Sequence, residues 1–231
     1  AGGWDEAIFT TADWEMWLGG RTGSWLGLRI QAKAVDLSSS QFPHLHYRTK
    51  GAPLFQSDTL IRSALAANPP RVPLYVLYTY APRGILTAWP CGSYRRETSL
   101  FGCSLASAFK VQVLRLTGGK RSLADLSPHL LPWHCLVCCC AYSHGSLAER
   151  AAGYLRATLI TADIEHPTLA EPAPEGSLDA QELAELLQSY RQPRVSERPP
   201  EYVLTLLAGR EPELPIDISA ILVMRQGEEA A

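Results

Sequence analysis

The sequence predicts a single α/β domain that carries a C-terminal extension. The chain has 231 residues, of which 46% are apolar and 9% aromatic, so it can bury a sizeable core. Its first part has the order strand, strand, helix, strand, judged from the spacing of its apolar residues. No apolar segment is long enough to span a bilayer, because the longest, 130–142, is interrupted by Pro132 and His134.

The first predicted element is a β-hairpin. Its strands hold Asp13 and the segment 28–33, and the turn between them lies in the glycine-rich stretch 19–24. A turn centred near Thr22 places Asp13 opposite Gln31. Side chains alternate between the two faces of a strand, so alternate residues share one face. The patch on that face is predicted to contain four side chains, Asp13, Glu15, Gln31 and Lys33.

A helix and a buried strand are predicted next. The helix spans 56–68, with Ser57 as its N-cap and the segment 68–70, Asn-Pro-Pro, as its end. The following strand, 73–80, is almost continuously apolar, which is typical of a strand buried in a parallel sheet. If it runs parallel to the strand of Gln31, the connection through the helix is a right-handed crossover.

The remaining elements follow from the same periodicities. Helices are predicted at 104–116, 146–159, 179–190 and 201–208, and strands at 134–142 and 216–224. Residues 1–142 are predicted to form the core and residues 143–231 an extension packed on it. An acidic, proline-rich surface loop or linker is expected at about 165–179.

Charge is distributed unevenly along the chain. The net charge is −2, but residues 1–125 contain 14 Lys and Arg against 8 Asp and Glu, whereas residues 126–231 contain 7 against 15. The predicted patch lies in the basic half, which suits a polyanion such as nucleic acid. The alternative is that these cations are solvated loop residues, because a charge count does not show that they share a face. No secretory leader pattern is present, so a cytoplasmic location is expected.

The predicted patch resembles the active site of a nuclease superfamily. Asp13 on one strand and Gln31-Ala-Lys33 on the next resemble the PD-(D/E)XK superfamily, in the Gln-x-Lys form of Mrr-type restriction endonucleases. Several segments also resemble a family of bacterial proteins predicted to be restriction-endonuclease-like: 12–17, 28–33, 56–64, 73–78, 102–106 and 132–138. The resemblance covers roughly the first 140 residues. It implies a restriction-endonuclease-like core with a mixed central sheet flanked by helices.

The resemblance assigns chemical roles to these residues. Asp13 would bind a divalent cation, Mg²⁺ or Mn²⁺, with the backbone carbonyl of Ala32 as a second ligand. Gln31 stands where the superfamily more often has an acid, so its amide oxygen would be an uncharged ligand. Lys33 would position or deprotonate the attacking water, or stabilise charge on the scissile phosphate. Three further residues are candidate substrate contacts: Gln56, Arg62 and Arg29. For Gln56 and Arg62, the alternative of an exposed helix face is given equal or greater weight.

The superfamily usually adds an acid from a helix that precedes these strands. Few residues precede Asp13, so that helix is expected to be missing or truncated. Glu15 is the favoured accessory metal ligand because it shares the Asp13 face, and Glu6 is a weaker candidate. On strand alternation alone, an ordinary hairpin with a solvated outer face is the favoured interpretation, and the resemblance reverses that preference.

The expected activity is therefore Mg²⁺-dependent hydrolysis of phosphodiester bonds, with DNA favoured over RNA. The alternative is a catalytically inactive module of the same fold that binds nucleic acid or a protein partner. No membrane association is expected. The oligomeric state is left open, with a homodimer as one option.

The cysteine-rich segment 134–140 offers a competing metal site. If the segment is a strand, Cys135 and Cys138 point to opposite faces and cannot bind one ion together. Cys91 and Cys103 are too far apart in the sequence to form a second ligand pair. Buried cysteines that act as small apolar residues are therefore expected, and structural zinc is not.

Overall fold

One mixed six-stranded sheet forms the centre of the molecule. The computed structural model describes residues 12–20, 23–80, 91, 93–95, 97–139, 144–160, 175–191 and 195–226. The strands are β1 (Trp14–Gly19), β2 (Trp25–Ala34), β3 (Val72–Tyr78), β4 (Cys103–Ser107), β5 (Leu131–Pro132) and β6 (Ile221–Arg225). Their order across the sheet is β5-β4-β3-β2-β1-β6. β1 and β6 are parallel, as are β2 and β3, and the other neighbours are antiparallel.

Helices flank this sheet, which confirms the predicted α/β class. They are α1 (Gln56–Ala66), α2 (Ala108–Leu116), α3 (Leu123–Leu126), α4 (Cys135–Cys138), α5 (Leu147–Leu155), α6 (Ala180–Tyr190) and α7 (Glu201–Leu207). Short 3-10 helices lie at Thr98–Phe101 and Ser127–His129, and a π-helical turn at Arg156–Ile160 follows α5. α1 and α2 contact each other and β3, whereas α5 contacts β1 and β2.

The hairpin has the predicted register. Trp14 pairs with Ile30, which places Asp13 opposite Gln31. The N–H of Asp13 donates to the carbonyl of Ile30 at 2.9 Å, so the ladder continues one residue beyond β1. The next connection is also as predicted, because β2 and β3 run parallel and α1 lies between them in the chain.

The predicted helix at 104–116 is wrong in its first part. Pairing with β3 and β5 takes Cys103–Ser107 into the sheet as β4, because tertiary contacts outweigh the weak local preference of so short a segment. Ser107 ends the strand and caps α2, since its side chain accepts a hydrogen bond from the N–H of Phe109.

The predicted N-cap of α1 is also wrong. The helix begins after Phe55, which provides no side-chain cap, and Ser57 lies inside the first turn. The hydroxyl of Ser57 donates to Asp58 instead, at 2.9 Å. The cap prediction fails because Ser57 already has a buried acceptor next to it.

The predicted strand at 134–142 is a helical turn where the structure describes it. The N–H groups of Val137 and Cys138 both donate to the carbonyl of His134 at 3.0 Å, and residues 135–138 form α4. Residues three apart on a helix share a face, so Cys135 and Cys138 lie side by side. The reason given for excluding a shared metal ligand set therefore does not hold.

The C-terminal part of the chain belongs to the same sheet as the N-terminal part. β6 pairs in parallel with β1, with Ile221 beside Glu15. The buried apolar cluster includes residues from both sides of position 142, among them Leu28, Leu74 and Tyr154. The predicted extension thus supplies an edge strand and part of the core, although that strand is shorter than predicted.

Of the predicted acidic loop at 165–179, the structure describes only 175–179. Within the described residues, no helix combines the length and apolar character needed to cross a membrane.

Candidate active site

Four predicted site residues meet at one end of the hairpin. Asp13 immediately precedes β1, Gln31 and Lys33 lie in the second half of β2, and Gln56 is the first residue of α1. They line a cavity of about 590 Å³, which we call the Asp13 cleft. The loop between β2 and α1 completes its wall with three side chains, Phe42, His44 and Tyr47.

Two donors hold the carboxylate of Asp13. Its Oδ2 accepts hydrogen bonds from Gln31 Nε2 at 2.6 Å and from the N–H of Ala32 at 2.7 Å. Gln31 is held in turn, because its Oε1 accepts from Gln56 Nε2 at 2.8 Å. No donor among the described residues binds Asp13 Oδ1, so that oxygen is available to a ligand.

One acceptor of this network is left over. Gln56 Oε1 is buried and has no hydrogen-bond partner within the described part of the chain. Leaving a buried acceptor unpaired costs free energy, so such atoms point to strain or to a missing partner. The cleft thus contains an oxygen-rich set of side chains that protein donors do not fully satisfy.

Lys33 brings a positive charge to the same cleft. The side chain is half-buried, and burial lowers the pKa of its ammonium below the ordinary value of 10.5, while the nearby Asp13 carboxylate opposes this by raising it. A buried cation with a perturbed pKa beside a carboxylate in a cleft is typical of functional sites.

We expect Lys33→Met to raise the melting temperature by a few degrees at pH 7. The folded pKa of Lys33 is below its unfolded value, so the charged lysine destabilises the fold at neutral pH. That penalty disappears as the pH rises from the folded pKa to 10.5, so the gain should shrink over the same interval. Differential scanning calorimetry at several pH values measures it, with the exposed Lys50→Met as the matched control. A melting temperature well below that of the wild type would contradict the expectation.

Glu15 does not take the predicted role of accessory metal ligand. Its carboxylate is fully buried, and Oε1 accepts from Arg29 Nε at 2.9 Å and Nη2 at 2.6 Å. Oε2 accepts from Trp17 Nε1 at 3.0 Å and from the hydroxyl of Tyr202. Arg71 Nε lies 3.2 Å from Oε1 and adds a second ion pair. Protein donors therefore occupy both oxygens of Glu15.

Arg29 does not take its predicted role as a substrate contact either. Its side chain is only 4% exposed and forms ion pairs with Glu15 and Asp217. Glu15 is fully buried and Asp217 is partly exposed, so this guanidinium neutralises the buried charge of Glu15. Strand alternation predicted its face correctly but could not predict its partners.

Arg62 lies beside a different cavity. Its guanidinium binds Glu182 of α6, with Nη2 at 2.6 Å from Oε2, and its side chain is 45% exposed. It lines a cavity of about 470 Å³ that does not include Asp13, and Gln56 is the residue that lines both cavities. The two predicted contacts thus differ, since Gln56 belongs to the Asp13 cleft and Arg62 does not.

The fold uses much of the positive charge of the first half internally. Four arginines of that half form ion pairs with acidic side chains: Arg29, Arg62, Arg71 and Arg115. Arg48 and Lys50, which follow the cleft residue Tyr47 in the chain, are exposed. The charge count therefore overstates the free positive surface, although two exposed cations lie close in the chain to a residue of the cleft.

Several residues in or beside the Asp13 cleft escaped prediction from the sequence. Tyr75 lies beside Gln31 in the β2–β3 ladder, is fully buried, and has a hydroxyl with no hydrogen-bond partner among the described residues. Its neighbours in the sequence are almost all apolar, so the pattern does not distinguish Tyr75 from the other residues of this strand. His44 and Tyr47 stack edge to face, with ring centroids 6.4 Å apart, in the loop between β2 and α1. The high density of aromatic and histidine residues at 42–47 was the available signal.

Two further predictions concern the metal ligands. Ala32, whose carbonyl is the predicted second ligand, lines the cleft, and its N–H binds Asp13. Glu6, and the segment in which the N-terminal helix of the superfamily was expected to be missing or truncated, lie outside the described residues.

Comparison with known proteins identifies the family of the chain. A model described as a family of unknown function (DUF6615) matches residues 6–230. The chain belongs to this family. The match runs from the segment before Asp13 to beyond β6, so the family includes every element that forms the cleft. No curated protein matches the chain, and no solved structure matches it.

Proposed function

We propose that the chain is a divalent-cation-dependent nuclease that hydrolyses phosphodiester bonds in the Asp13 cleft. The observation that carries the proposal is the meeting of the Asp13 carboxylate, the Gln31 amide and the Lys33 ammonium in one cavity. The substrate is proposed to be DNA in preference to RNA, and the cation Mg²⁺ or Mn²⁺, on the resemblance to PD-(D/E)XK nucleases of the Mrr type. A cytoplasmic setting goes with this proposal.

The donor atoms of the cleft suit a hard cation. Asp13 offers Oδ1, Ala32 offers its carbonyl, and Gln31 offers an amide oxygen, and Mg²⁺ and Mn²⁺ prefer oxygen ligands of these kinds. A cation bound there would polarise the phosphate and lower the pKa of a bound water. Asp13 is the only acidic side chain that lines the cleft among the described residues, so we expect weak cation binding that substrate phosphates would complete.

The two glutamines give Gln31 a way to adapt to a cation. In the observed arrangement, Gln31 Nε2 faces Asp13 and Gln31 Oε1 faces Gln56. Rotation of the terminal amide exchanges the oxygen and the nitrogen. With the amides of both glutamines rotated, Gln31 would present its oxygen beside Asp13 and donate from Nε2 to Gln56 Oε1, which now has no partner among the described residues. The glutamine pair is thus compatible with a carboxylate site both with and without a cation.

We expect Gln31→Glu to make stability depend more strongly on the cation. Without metal, two carboxylates would lie at a contact that now measures 2.6 Å, so repulsion should lower the melting temperature below that of the wild type. With Mn²⁺ the added charge should strengthen binding and produce a larger rise in melting temperature than in the wild type. Thermal unfolding with EDTA and over a Mn²⁺ series measures both effects. Equal Mn²⁺ shifts in the two proteins would contradict the assignment of Gln31 as a ligand.

Lys33 and the loop side chains would act on the substrate. The Lys33 ammonium can stabilise charge on the scissile phosphate, and its lowered pKa also favours proton transfer to or from the attacking water. Tyr47 is 45% exposed beside the cleft, and an exposed aromatic ring can stack on a base. The exposed Arg48 and Lys50, which follow Tyr47 in the chain, would contact the nucleic-acid backbone.

The proposal is tested by incubating the purified chain with supercoiled plasmid, linear duplex DNA and RNA, each with Mg²⁺, Mn²⁺ or EDTA. We expect cation-dependent cleavage of DNA by the wild type and by Glu185→Gln, which changes an exposed carboxylate on α6. We expect none by Asp13→Ala or Lys33→Ala. Cleavage that persists unchanged in both variants would show that the activity does not arise in this cleft.

The second candidate function is a non-catalytic module of the same fold that binds nucleic acid or a protein. The saturated carboxylate of Glu15 favours it, because the cleft then has fewer acids than a metal site of this superfamily usually has. Salt-sensitive DNA binding without cleavage in any divalent cation would support this alternative.

A further inference from the structure

Four metal-binding side chains outside the Asp13 cleft meet at α4. The ligand atoms of Cys91, His134, Cys135 and Cys138 all lie within 4.8 Å of one another. Cys91 comes from the loop before β4, and the other three come from α4 and the residue before it. The sulfur atoms of Cys135 and Cys91 belong to buried residues, so little solvent reaches the centre of the group.

The spacing of these atoms matches a tetrahedral metal site. With Zn–S bonds of about 2.3 Å and Zn–N bonds of about 2.0 Å, two sulfurs of a tetrahedron are about 3.8 Å apart, and a sulfur and a nitrogen about 3.5 Å. The sulfurs of Cys91 and Cys138 are 3.8 Å apart, and Cys135 Sγ lies 3.7 Å from His134 Nε2. Small adjustments would therefore bring all four atoms to one ion.

The local backbone explains why these atoms converge. The helical turn of α4 puts Cys135 and Cys138 on one face, which is the Cys-x-x-Cys spacing of structural zinc sites. The turn is fixed by hydrogen bonds to the carbonyls of Trp133 and His134. Cys91 then approaches from a separate loop, so the ligand set joins two parts of the chain that are distant in sequence.

Other uses of these cysteines fit the geometry less well. A disulfide needs sulfurs at about 2.05 Å, whereas the sulfur pairs measured among Cys91, Cys138 and Cys139 are 3.7–3.8 Å apart. Packing of apolar thiols would explain the contacts between sulfur atoms. It does not explain why His134 Nε2 lies 3.7 Å from Cys135 Sγ, close to the separation of a nitrogen and a sulfur that bind one zinc ion.

We propose that Cys91, His134, Cys135 and Cys138 form a structural zinc site that fastens the loop containing Cys91 to α4. Four protein ligands leave no open position on the ion, which is the arrangement of structural rather than catalytic zinc. Three thiolates and one imidazole are soft or intermediate ligands, which select zinc over Mg²⁺. The site shares no residue with the Asp13 cleft and does not depend on the nuclease proposal.

Cys139 is the alternative ligand that the test must exclude. Its sulfur lies 3.7 Å from those of both Cys91 and Cys138, so it could replace one of the proposed ligands. Cys103 is the matched control, because it is a free cysteine of the same fold that is not part of the group.

The test is the zinc content of the full chain, purified under reducing conditions with one equivalent of zinc and then desalted. We expect about one zinc per chain, measured by elemental mass spectrometry, in the wild type, Cys103→Ser and Cys139→Ser. We expect the Cys135→Ser/Cys138→Ser variant to lose at least about nine-tenths of it. A wild type that retains less than a tenth of an equivalent would overturn the proposal. Loss of zinc from Cys103→Ser or Cys139→Ser, with the protein folded, would overturn this choice of ligands.

A second measurement does not require any variant to fold. Cobalt(II) added to the zinc-free wild type should give the intense visible absorption of a tetrahedral ion and the near-ultraviolet bands of thiolate ligation. Chelator treatment should also expose three more thiols per chain to a thiol reagent. The weak absorption of octahedral cobalt, or no change in thiol exposure, would contradict a site with three cysteine ligands.

Discussion

Glu15→Ala is expected to lower the free energy of unfolding by about 3–5 kcal/mol, the largest effect on stability that we predict. Glu15 accepts hydrogen bonds from Trp17, Arg29 and Tyr202 and forms an ion pair with Arg71, and the substitution removes all of these contacts. Two buried guanidinium groups would lose a counter-charge, and breaking a buried pair from one side leaves an uncompensated charge. The hydroxyl of Tyr202 would lose its acceptor, which would weaken the contact between α7 and the hairpin.

Urea denaturation measures this loss, with Glu201→Ala as the matched control. Glu201 forms an ion pair with Arg198, but both side chains are more than 70% exposed, so its removal should cost less than about 1 kcal/mol. A Glu15→Ala variant as stable as Glu201→Ala would contradict the structural role assigned to Glu15. It would also restore Glu15 as a candidate metal ligand.

Lys33→Met is expected to lower the rate of DNA cleavage by about 10²–10⁴-fold, the range found for loss of a group that transfers a proton or stabilises a developing charge. DNA affinity should change little, because one interior ammonium contributes few of the phosphate contacts. Single-turnover cleavage and equilibrium binding on one duplex separate the two effects. Lys50→Met gives the opposite case, because loss of a proposed backbone contact should weaken binding more than it slows the cleavage step. Equal losses in cleavage and affinity would instead indicate that Lys33 only binds DNA.

Lys33→Arg distinguishes the two roles left open for this lysine. Arginine keeps the positive charge but does not release a proton near neutral pH. If Lys33 stabilises charge, we expect Lys33→Arg to retain much of the activity. If Lys33 transfers a proton, the activity should fall as far as in Lys33→Met.

The sequence was sufficient to predict the geometry of the hairpin. A glycine-rich turn fixes its register, so the pairing of Asp13 with Gln31 follows from counting residues on each side of the turn. The parallel strand β3 and the helix α1 were also predictable, because their apolar spacing extends over many residues. These are local patterns, and they placed Gln56 and Lys33 beside Asp13.

The partners of Glu15 could not be predicted in the same way. Strand alternation gives the face of a side chain but not which distant side chains cover it. Glu15 is covered by Tyr202 of α7, which is 187 residues away in sequence. A single sequence carries no signal for such a contact.

The prediction for the cysteine-rich segment was wrong for a different reason. A short apolar run such as 134–140 is compatible with both a strand and a helical turn, because neither period repeats often enough to decide. The choice decides whether the two cysteines can bind one metal ion. A strand separates Cys135 from Cys138, whereas a helical turn brings them together.

The central claim, that Asp13 serves a cation-dependent phosphodiesterase, is tested most directly by one comparison. The single-turnover rate of cleavage of a labelled DNA duplex is measured for the wild type and Asp13→Asn over a Mn²⁺ series. We predict that the wild type cleaves only with the cation and that Asp13→Asn is slower by at least about 10²-fold at every concentration. Equal rates in the two proteins, or no cleavage by the wild type in any divalent cation, would contradict the account.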